Sequence, residues 1–280
     1  MKSKHIAFLF SFLTLFFINK GSHAQDRDSI NFVTVEWKTT PLKKGIVWKQ
    51  ANIKNLFDSQ QEINIIEIDL KNKKNAKKIR LAALANGLEK TSALAQQHDA
   101  IVAINGGFFD MKNGGAVDFI KVDNQVINTT ANPSARANAY LAFDKKKLLI
   151  SSDSTRIALY PNILLSGPLL LKDSKPQSLP KNPFNKNRHP RTAIAIKDKH
   201  LILFTVDGRN AKSQGLNLDE LAKLFQWYGC EDAMNLDGGG STTMYIKGQA
   251  DGGIVNYPSD NKLFDHLGER SVANIIYLLN

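Results

Sequence analysis

Three adjacent glycines between two short apolar segments most constrain how this chain folds. They lie in the stretch Asn235-Leu-Asp-Gly-Gly-Gly-Ser-Thr-Thr243, which a Met-Tyr-Ile segment follows. The pattern predicts a strand, a glycine turn and a second strand. Because glycine has no side chain, such a turn exposes backbone N–H groups and suits an oxyanion or a sugar.

Polar side chains flank the predicted turn on both sides. Asn235 and Asp237 precede the glycines, and Ser241 and Thr242 follow them. The same residues are also typical of a polar hairpin, since Asp-Gly is a frequent hairpin signal. The stretch is not a Walker P-loop, because no Gly-Lys-Ser/Thr follows. It is not a dinucleotide fingerprint either, because its glycines are adjacent rather than spaced.

The N-terminal segment has the pattern of an export signal. Lys2 and Lys4 precede the apolar stretch Ile6–Ile18, and Ser22-His-Ala24 supplies small residues. We therefore expect a signal peptide over residues 1–24, with cleavage before Gln25. An uncleaved anchor is the alternative, but the apolar stretch is short for a membrane-spanning helix. The expected location is periplasmic or secreted, with no stable membrane anchor after cleavage.

Composition limits the class of partner and the source of stability. The chain of 280 residues carries a formal net charge of +11 and a single cysteine, Cys230. An intramolecular disulfide is therefore excluded, and the fold depends on its hydrophobic core. A basic surface suits nucleic acid, anionic envelope polymers or phosphorylated sugars. The lysines are scattered without interleaved aromatic residues, so we expect no nucleic acid partner.

The hydrophobic pattern predicts many short strands and few helices. Phe32–Trp37 and Ile63–Leu70 are predicted strands, and Thr91–His98 and Gly215–Tyr228 are predicted helices. We expect one α+β domain with a mixed, largely antiparallel sheet and packed helices. Residues 25–62 supply its N-terminal strands. The proline-rich segment Pro176–Pro190 is predicted to be a long surface loop of the kind that forms lids.

Three further motifs place side chains that could bind a substrate at the ends of predicted strands. Asn105-Gly-Gly-Phe-Phe-Asp110 follows a buried strand, and its aromatic pair suits the apolar face of a sugar ring, although core packing is the alternative. His189-Pro-Arg-Thr192 and Asp207-Gly-Arg209 each carry an arginine at a strand end. A guanidinium group pairs with phosphate through two hydrogen bonds, although a surface salt bridge is the commoner role.

Taken together and in order, these motifs resemble one family. The resemblance rests on Asn105-Gly-Gly-Phe-Phe, Ser166-Gly-Pro, Pro190-Arg-Thr-Ala, Asp207-Gly-Arg, the Gly215 helix, Asn235-Leu-Asp-Gly-Gly-Gly-Ser-Thr, Asn256-Tyr-Pro-Ser-Asp and Glu269-Arg. In these stretches the chain is similar to the phosphodiester glycosidase family. The likeness extends from about Ile63 to the C-terminus, so residues 63–280 are expected to form the glycosidase-like domain.

The resemblance implies hydrolysis of a sugar-1-phosphodiester, such as a diester of N-acetylglucosamine-1-phosphate, to free sugar and a phosphomonoester. The catalytic candidates are Asp237 first, then Asp207, then Glu269. A phosphate leaving group needs charge stabilisation more than a proton. The candidates for binding substrate are Arg191, Arg209 and Arg270 for the phosphate, Asn105, Asn235 and Asn256 for sugar hydroxyls, and Gly106, Gly107, Phe108, Gly238, Gly239, Gly240, Ser241 and Thr242 around them.

No cofactor or metal is predicted. The histidines lack ligand spacing for zinc, and Asp207 and Asp237 are considered only as an unassigned shared calcium site. Two other functions stay open from the sequence. One is a non-catalytic glycan- or phosphosugar-binding protein of the cell envelope that uses the same cleft. The other is a serine hydrolase built on Ser241, which lacks the Gly-x-Ser-x-Gly elbow.

Overall fold

The computed structural model describes residues 20–131 and 133–280, which form a protein rich in β-strands. Its strands are β1 (Lys38–Lys43), β2 (Ile46–Leu56), β3 (Ser59–Asp69), β4 (Ile79–Ala83), β5 (Glu89–Lys90), β6 (Ala100–Asn105), β7 (Ile120–Val122), β8 (Gln125–Asn128), β9 (Ala139–Phe143), β10 (Leu148–Ser151), β11 (Asn162–Ser166), β12 (Leu169–Lys172), β13 (Lys175–Pro176), β14 (Arg191–Lys197), β15 (His200–Val206), β16 (Asp232–Asn235), β17 (Met244–Ile246), β18 (Ser271–Val272) and β19 (Asn274–Leu279). Its helices are α1 (Lys20–Val33), α2 (Lys73–Ala76), α3 (Thr91–Gln97), α4 (Pro183–Lys186) and α5 (Leu218–Trp227).

The strands form one large sheet and three smaller ones. The large sheet has eight strands in the order β1-β2-β3-β15-β14-β16-β12-β13. A five-stranded sheet has the order β10-β9-β11-β7-β8, a four-stranded sheet the order β17-β6-β19-β4, and β18 pairs with β5. Within the described residues, the pairings between these strands are all antiparallel. The expected single domain and antiparallel pairing are confirmed, but the fold is more β-rich than the α+β description.

The large sheet is covered on both faces, as the two-residue period of its strands requires. On β3, Ile63 and Ile65 join a core shared with α5, whereas Ile66 and Ile68 join a core shared with the two smaller sheets. Helix α3 packs on the outer side of the four-stranded sheet through a third apolar cluster. The layers are therefore helix, large sheet, two smaller sheets side by side, and helix.

Helix α5 forms where its end signals predict it. Asn217 accepts a hydrogen bond from the Glu220 N–H, and the Glu220 side chain accepts one from the Asn217 N–H, which completes a capping box. Gly229 follows the helix with a φ of 82°, the left-handed conformation that favours glycine. The apolar face of the helix is buried against the large sheet, so this prediction is confirmed.

The predicted strand Phe32–Trp37 is wrong. Helix α1 extends to Val33, and the following strand begins only at Lys38. The Phe32 ring is buried, with its centroid 6.1 Å from that of Tyr228 beside α5. Alternating apolar residues fit a strand, but tertiary packing against the aromatic residues of α5 selects a helix here. The first three strands then extend the large sheet from its outer edge.

The signal-peptide prediction falls mostly on residues 1–19, which lie outside the described residues. The predicted cleavage point before Gln25 lies within α1. Across residues 20–131 and 133–280, no helix combines the length and the apolar character that crossing a bilayer requires.

Candidate active site

Strand pairing brings three of the predicted motifs to one edge of the large sheet. Arg191 at the start of β14 pairs with Val206 at the end of β15, and Ala193 pairs with Asn235 at the end of β16. The Leu236 N–H donates to the Thr192 carbonyl at 2.9 Å. The segments that carry Arg191, Arg209 and Asp237 therefore leave the sheet side by side, as an antiparallel order predicts.

The triple-glycine turn is the point at which these segments touch. A Cβ added to Gly238 would lie 2.7 Å from the Pro190 carbonyl oxygen. One added to Gly239 would lie 3.0 Å from Arg209 Nη2, and Gly239 also has a φ of 63°. One added to Gly240 would lie 2.5 Å from Arg270 Nη2. The glycines are needed because any side chain would displace the neighbouring arginine segments.

A cavity of about 170 Å³ opens beside the turn. It is lined by Arg136, Phe184, His189, Arg191, Arg209, Asp237, Gly238 and Gly239. Three guanidinium groups and one carboxylate thus share a small concave space. An anion is the ligand that this charge distribution favours.

Arg191 is a buried cation without an acidic partner. It is 1% exposed, its Nε donates to the Leu216 carbonyl at 2.9 Å, and its Nη2 donates to the Phe184 and Asn187 carbonyls at 2.8 and 2.9 Å. Within the described residues, no carboxylate lies within 4.0 Å of its nitrogens. Burial lowers the pKa of Arg191 to about 10, and the Glu220 carboxylate opposes this shift. The side chain therefore presents a poorly solvated positive charge to the cavity.

Arg136 and Arg209 add two more guanidinium groups. Arg136 Cζ lies 3.8 Å from the centroid of the Phe108 ring, which is a cation–π contact. Arg209 has a φ of 61°, so its side chain leaves a left-handed backbone. In the part of the chain that the structure describes, neither arginine has a carboxylate within ion-pair distance. Both charges are thus available to a ligand.

Asp237 is fixed by its backbone while its carboxylate lines the cavity. Its N–H donates to the Gly106 carbonyl at 2.9 Å, and its carbonyl accepts from Asn105 Nδ2 at 2.6 Å. Burial raises the pKa of Asp237 to about 6, and the nearby Ser241 hydroxyl is the largest opposing influence. A carboxylate with such a pKa exchanges a proton near neutral pH, which is typical of catalytic groups.

His189 lines the same cavity. Burial lowers the pKa of its imidazole, and the charges of Arg191 and Arg209 lower it further. The ring is therefore neutral at pH 7, so it offers one N–H donor and one nitrogen acceptor.

The comparison with known families shows which family the chain belongs to. The profile described as phosphodiester glycosidase matches residues 98–279. The chain belongs to the phosphodiester glycosidase family.

Known relatives of the chain include bacterial and animal proteins. The human N-acetylglucosamine-1-phosphodiester alpha-N-acetylglucosaminidase is 26% identical over 60% of this chain and 35% of its own length. The SPbeta prophage-derived uncharacterized protein YomE of Bacillus subtilis (strain 168) is 29% identical over 58% of this chain and 26% of its own length. The chain therefore spans about a quarter to a third of the curated relatives that it matches.

A solved structure supports the fold. The catalytic domain of zebrafish N-acetylglucosamine-1-phosphodiester alpha-N-acetylglucosaminidase, auto-inhibited by its pro-peptide, has a TM-score of 0.68 to this chain at 21% sequence identity. The likeness covers 92% of both chains. At this identity the comparison establishes the architecture, while the roles of individual residues rest on the geometry above.

Asn105 and the two glycines after it lie behind the cavity. Asn105 is fully buried, and its Oδ1 accepts from the Thr192 hydroxyl at 2.7 Å and the Thr243 N–H at 3.1 Å. The N–H groups of Gly106 and Gly107 donate to the Asn274 carbonyl and side chain. These residues do not line the cavity as predicted but hold the Asp237 backbone in place.

Asn235 and Asn256 are also internal rather than sugar-facing. The Asn235 amide donates to the Gly167 carbonyl at 2.8 Å. The Asn256 amide donates to Asp207 Oδ1 at 2.8 Å and accepts from the Met244 N–H at 2.8 Å. Both side chains are fully buried. Their amide groups make hydrogen bonds within the protein that fix the turn and the loop after β17.

Two of the three predicted catalytic carboxylates lie outside the cavity and accept hydrogen bonds within the protein. Asp207 is fully buried, its Oδ1 accepts from Asn256 and from the Tyr257 N–H at 3.0 Å, and burial raises its pKa to about 7. Glu269 accepts from the N–H and hydroxyl of Ser92 at 2.7 and 2.6 Å, so it caps the start of α3. Of the candidates Asp237, Asp207 and Glu269, the structure brings only Asp237 to the cavity.

The remaining predicted residues divide between the surface and the interior of the site. Gly238 and Gly239 line the cavity. Gly240, Ser241 and Thr242 are buried, and the N–H groups of Ser241 and Thr242 close a 3₁₀ turn onto Gly238 and Gly239. The Gly239 N–H donates to the Pro190 carbonyl at 2.8 Å, so one of the three glycine N–H groups that we predicted to be open is occupied.

Phe108 is covered rather than exposed. It is 2% exposed, Arg136 stacks over its ring, and Phe184 contacts its edge. The predicted aromatic wall is instead supplied by Phe184, which lies in α4 of the proline-rich loop. Ser241 has no hydrogen bond to a histidine among the described residues, so the arrangement of a serine hydrolase is not formed.

Arg270 lies on the other side of the turn, in a second cavity of about 330 Å³. This cavity is lined by Gly208, Arg209, Asn210, Ser259, Asp260, Lys262, Leu263 and Arg270. Arg270 Nε donates to Asp260 Oδ1 at 2.8 Å. Arg209 lines both cavities, so the two are adjacent, and we refer to them together as the groove.

Sequence reasoning missed Arg136, Phe184 and His189 as site residues. Arg136 lies in an irregular loop and Phe184 in the four-residue helix α4, and neither segment is long enough for periodicity to mark a position. His189 is the exception, since it is adjacent to the Pro190-Arg-Thr motif. No group of three or more histidine, cysteine or acidic residues within residues 20–131 and 133–280 is arranged to hold a metal ion.

Proposed function

We propose that this protein is an exported hydrolase that cleaves a sugar-1-phosphodiester to free sugar and a phosphomonoester. The observation that carries the proposal is the buried Arg191, which lines the same cavity as Asp237 and has no acidic partner within ion-pair distance among the described residues. The names of the animal relatives favour N-acetylglucosamine as the sugar. A phosphodiester carries one negative charge, which pairs with the buried Arg191 guanidinium.

The arginines hold the phosphate. Arg191 is oriented by three backbone carbonyls, so its guanidinium is positioned before substrate binds. Arg136 and Arg209 approach the cavity from different loops. Positioned cations stabilise the additional negative charge that the phosphate gains as its bond to the sugar breaks.

A single carboxylate is sufficient for this leaving group. Most glycosidases use two carboxyl groups, because one must protonate the departing alkoxide. A phosphomonoester has a second pKa of about 6, so it leaves without a proton. Asp237 is the one acidic residue lining the cavity among the described residues, and it acts at the anomeric carbon on the attacking water or as nucleophile.

The sugar binds against the remaining walls. Phe184 offers an aromatic ring for the apolar face of the sugar, and the neutral His189 offers hydrogen bonds to hydroxyl groups. Both residues belong to the segment between β13 and β14, so this segment contributes the sugar contacts.

The direct test uses the methyl phosphodiester of N-acetylglucosamine-1-phosphate with the purified protein in ¹⁸O-labelled water. We expect release of free sugar and methyl phosphate, with the label in the sugar because the carbon–oxygen bond breaks. Asp237→Asn should reduce the rate by at least about 100-fold. The control is Asp251→Asn, which removes an exposed carboxylate outside both cavities and should retain the rate.

Three outcomes would count against the proposal. Label in the phosphate would indicate a phosphodiesterase. Full activity in Asp237→Asn would exclude the role of that carboxylate. Saturable binding without product would favour a glycan-binding protein of the cell envelope. Export is tested separately by expressing the full chain in a bacterium and sequencing the N-terminus of the exported protein, which should begin at Gln25.

A further inference from the structure

The second cavity extends the groove beyond the reacting bond. Gly239 approaches Arg209 in the first cavity, and Gly240 approaches the Arg270–Asp260 pair in the second. The triple-glycine turn thus lines the first cavity and, at Gly240, lies close to two residues that line the second, while Arg209 lines both. A phosphate held at Arg209 with its sugar toward Asp237 directs its alcohol portion into the second cavity.

The groove has more positive charge than one phosphodiester requires. Its lining includes five permanent cations, Arg136, Arg191, Arg209, Lys262 and Arg270, and two carboxylates, Asp237 and Asp260. A phosphodiester carries a single negative charge, so a positive excess remains after it binds. Because uncompensated like charges in one groove repel each other, the excess indicates a more highly charged ligand.

Part of the excess lies in the second cavity, where Lys262 and Arg270 outnumber Asp260 by one positive charge. The Arg270 guanidinium is paired with Asp260, whereas Lys262 has no carboxylate within 4.0 Å among the described residues. Ser259 lines the same cavity, and its hydroxyl oxygen is buried without a hydrogen-bond partner in the described part of the chain. An unpaired ammonium and an unsatisfied hydroxyl are donors for anionic oxygens.

We propose that the second cavity binds a further anionic group on the alcohol portion of the substrate. The substrate class is then a sugar-1-phosphodiester whose alcohol carries another phosphate, as in a chain of linked sugar or polyol phosphates. This inference rests on the proposed hydrolysis, because the first cavity sets the position of the reacting phosphate. Lys262 and Ser259 are the residues that contact the second anion.

The test compares two substrates that differ only in that group. One is the glycerol phosphodiester of N-acetylglucosamine-1-phosphate, and the other carries an additional terminal phosphate on the glycerol. We expect kcat/KM to be about five- to tenfold higher for the phosphorylated substrate at low salt, since one additional charge pair near a surface is worth about 1 kcal/mol. The ratio should fall toward one as sodium chloride increases.

Substitution of the cavity lysine locates the effect. Lys262→Gln should reduce the ratio of the two kcat/KM values toward one. The matched control is Lys145→Gln, which removes the same charge from an exposed lysine in a separate cavity and should leave the ratio unchanged. An equal decrease in both variants would assign the preference to net charge rather than to this cavity and would overturn the inference.

The outcomes separate this inference from the proposed function. Equal kcat/KM for the two substrates in the wild-type protein would refute the second anion site while leaving the hydrolysis intact. No product from either substrate would refute the hydrolysis. In that case calorimetric titration with the two compounds tests the anion site on its own. At least fivefold tighter binding of the phosphorylated compound supports the site, and equal binding refutes it.

Discussion

Replacing Asn105 distinguishes a residue that holds the site together from one that binds sugar. Its side chain connects three partners, namely the Asp237 carbonyl, the Thr192 hydroxyl and the Thr243 N–H. In Asn105→Ala all three partners lose this hydrogen bond inside the protein. Each buried polar group left unsatisfied costs about 1–3 kcal/mol. The free energy of unfolding should therefore fall by about 3–9 kcal/mol, a large share of a typical 5–15 kcal/mol.

The kinetic effect of the same substitution follows from the hydrogen bond to Asp237. Without it the backbone of Asp237 is held only by the Gly106 carbonyl, and the carboxylate shifts relative to the anomeric carbon. A displacement of about 1 Å at a reacting group lowers the rate by about 100-fold. We expect this loss in kcat, with a smaller change in KM.

Urea denaturation and steady-state kinetics of Asn105→Ala measure both effects. The control is Asn86→Ala, since Asn86 is exposed and should change the free energy of unfolding by less than about 0.5 kcal/mol. A variant with unchanged stability and a higher KM alone would refute the reasoning, because that pattern belongs to a lost sugar contact.

Three further predictions test charge and packing at the site. Because the ionised Asp237 carboxylate reacts and its pKa is raised to about 6, kcat/KM should rise with pH through an apparent pKa near 6. Burial raises the pKa of Asp207 to about 7, so the folded state binds this proton more tightly than the unfolded state. The free energy of unfolding should therefore decline from about pH 4 to 7. Urea midpoints at pH 5 and 8 measure this decline, which should be smaller in Asp207→Asn. Gly238→Ala should lower the free energy of unfolding, measured in urea, by about 1–3 kcal/mol, because the added Cβ lies 2.7 Å from the Pro190 carbonyl oxygen. Gly240→Ala should lower it less, because the added Cβ meets the flexible side-chain ends of Arg270 and Asp260.

Local signals in the sequence predict the parts of the fold that depend on local chemistry. The capping residues Asn217 and Glu220 define the start of α5, and Gly229 defines its end, because these preferences act within one helical turn. The strand before Asp207 and the turn after Asn235 follow from apolar runs that stop at polar residues. Phe32 was misassigned because its environment is set by α5, far along the chain.

Site residues could be predicted from the sequence where their motif adjoins a predicted strand. Arg191 begins β14, and Arg209 and Asp237 follow the ends of β15 and β16 within three residues, so antiparallel pairing brings them together. The roles of the asparagines were not predictable in this way. Asn105 at a strand end has the same sequence pattern whether its amide faces a ligand or a backbone carbonyl, and only its burial in three dimensions decides between them.

The structure gives a physical reason why three glycines are needed where one would form a turn. Each glycine accommodates a different neighbour: the Pro190 carbonyl at Gly238, the Arg209 guanidinium at Gly239 and the Arg270–Asp260 pair at Gly240. Cations in one groove repel each other, so each must be held by other contacts, as the backbone carbonyls hold Arg191. Removing side chains from the turn lets these supported cations approach one face of the main chain. An anionic substrate then meets charges that are already in place, which is the condition for stabilising charge that develops on a departing phosphate.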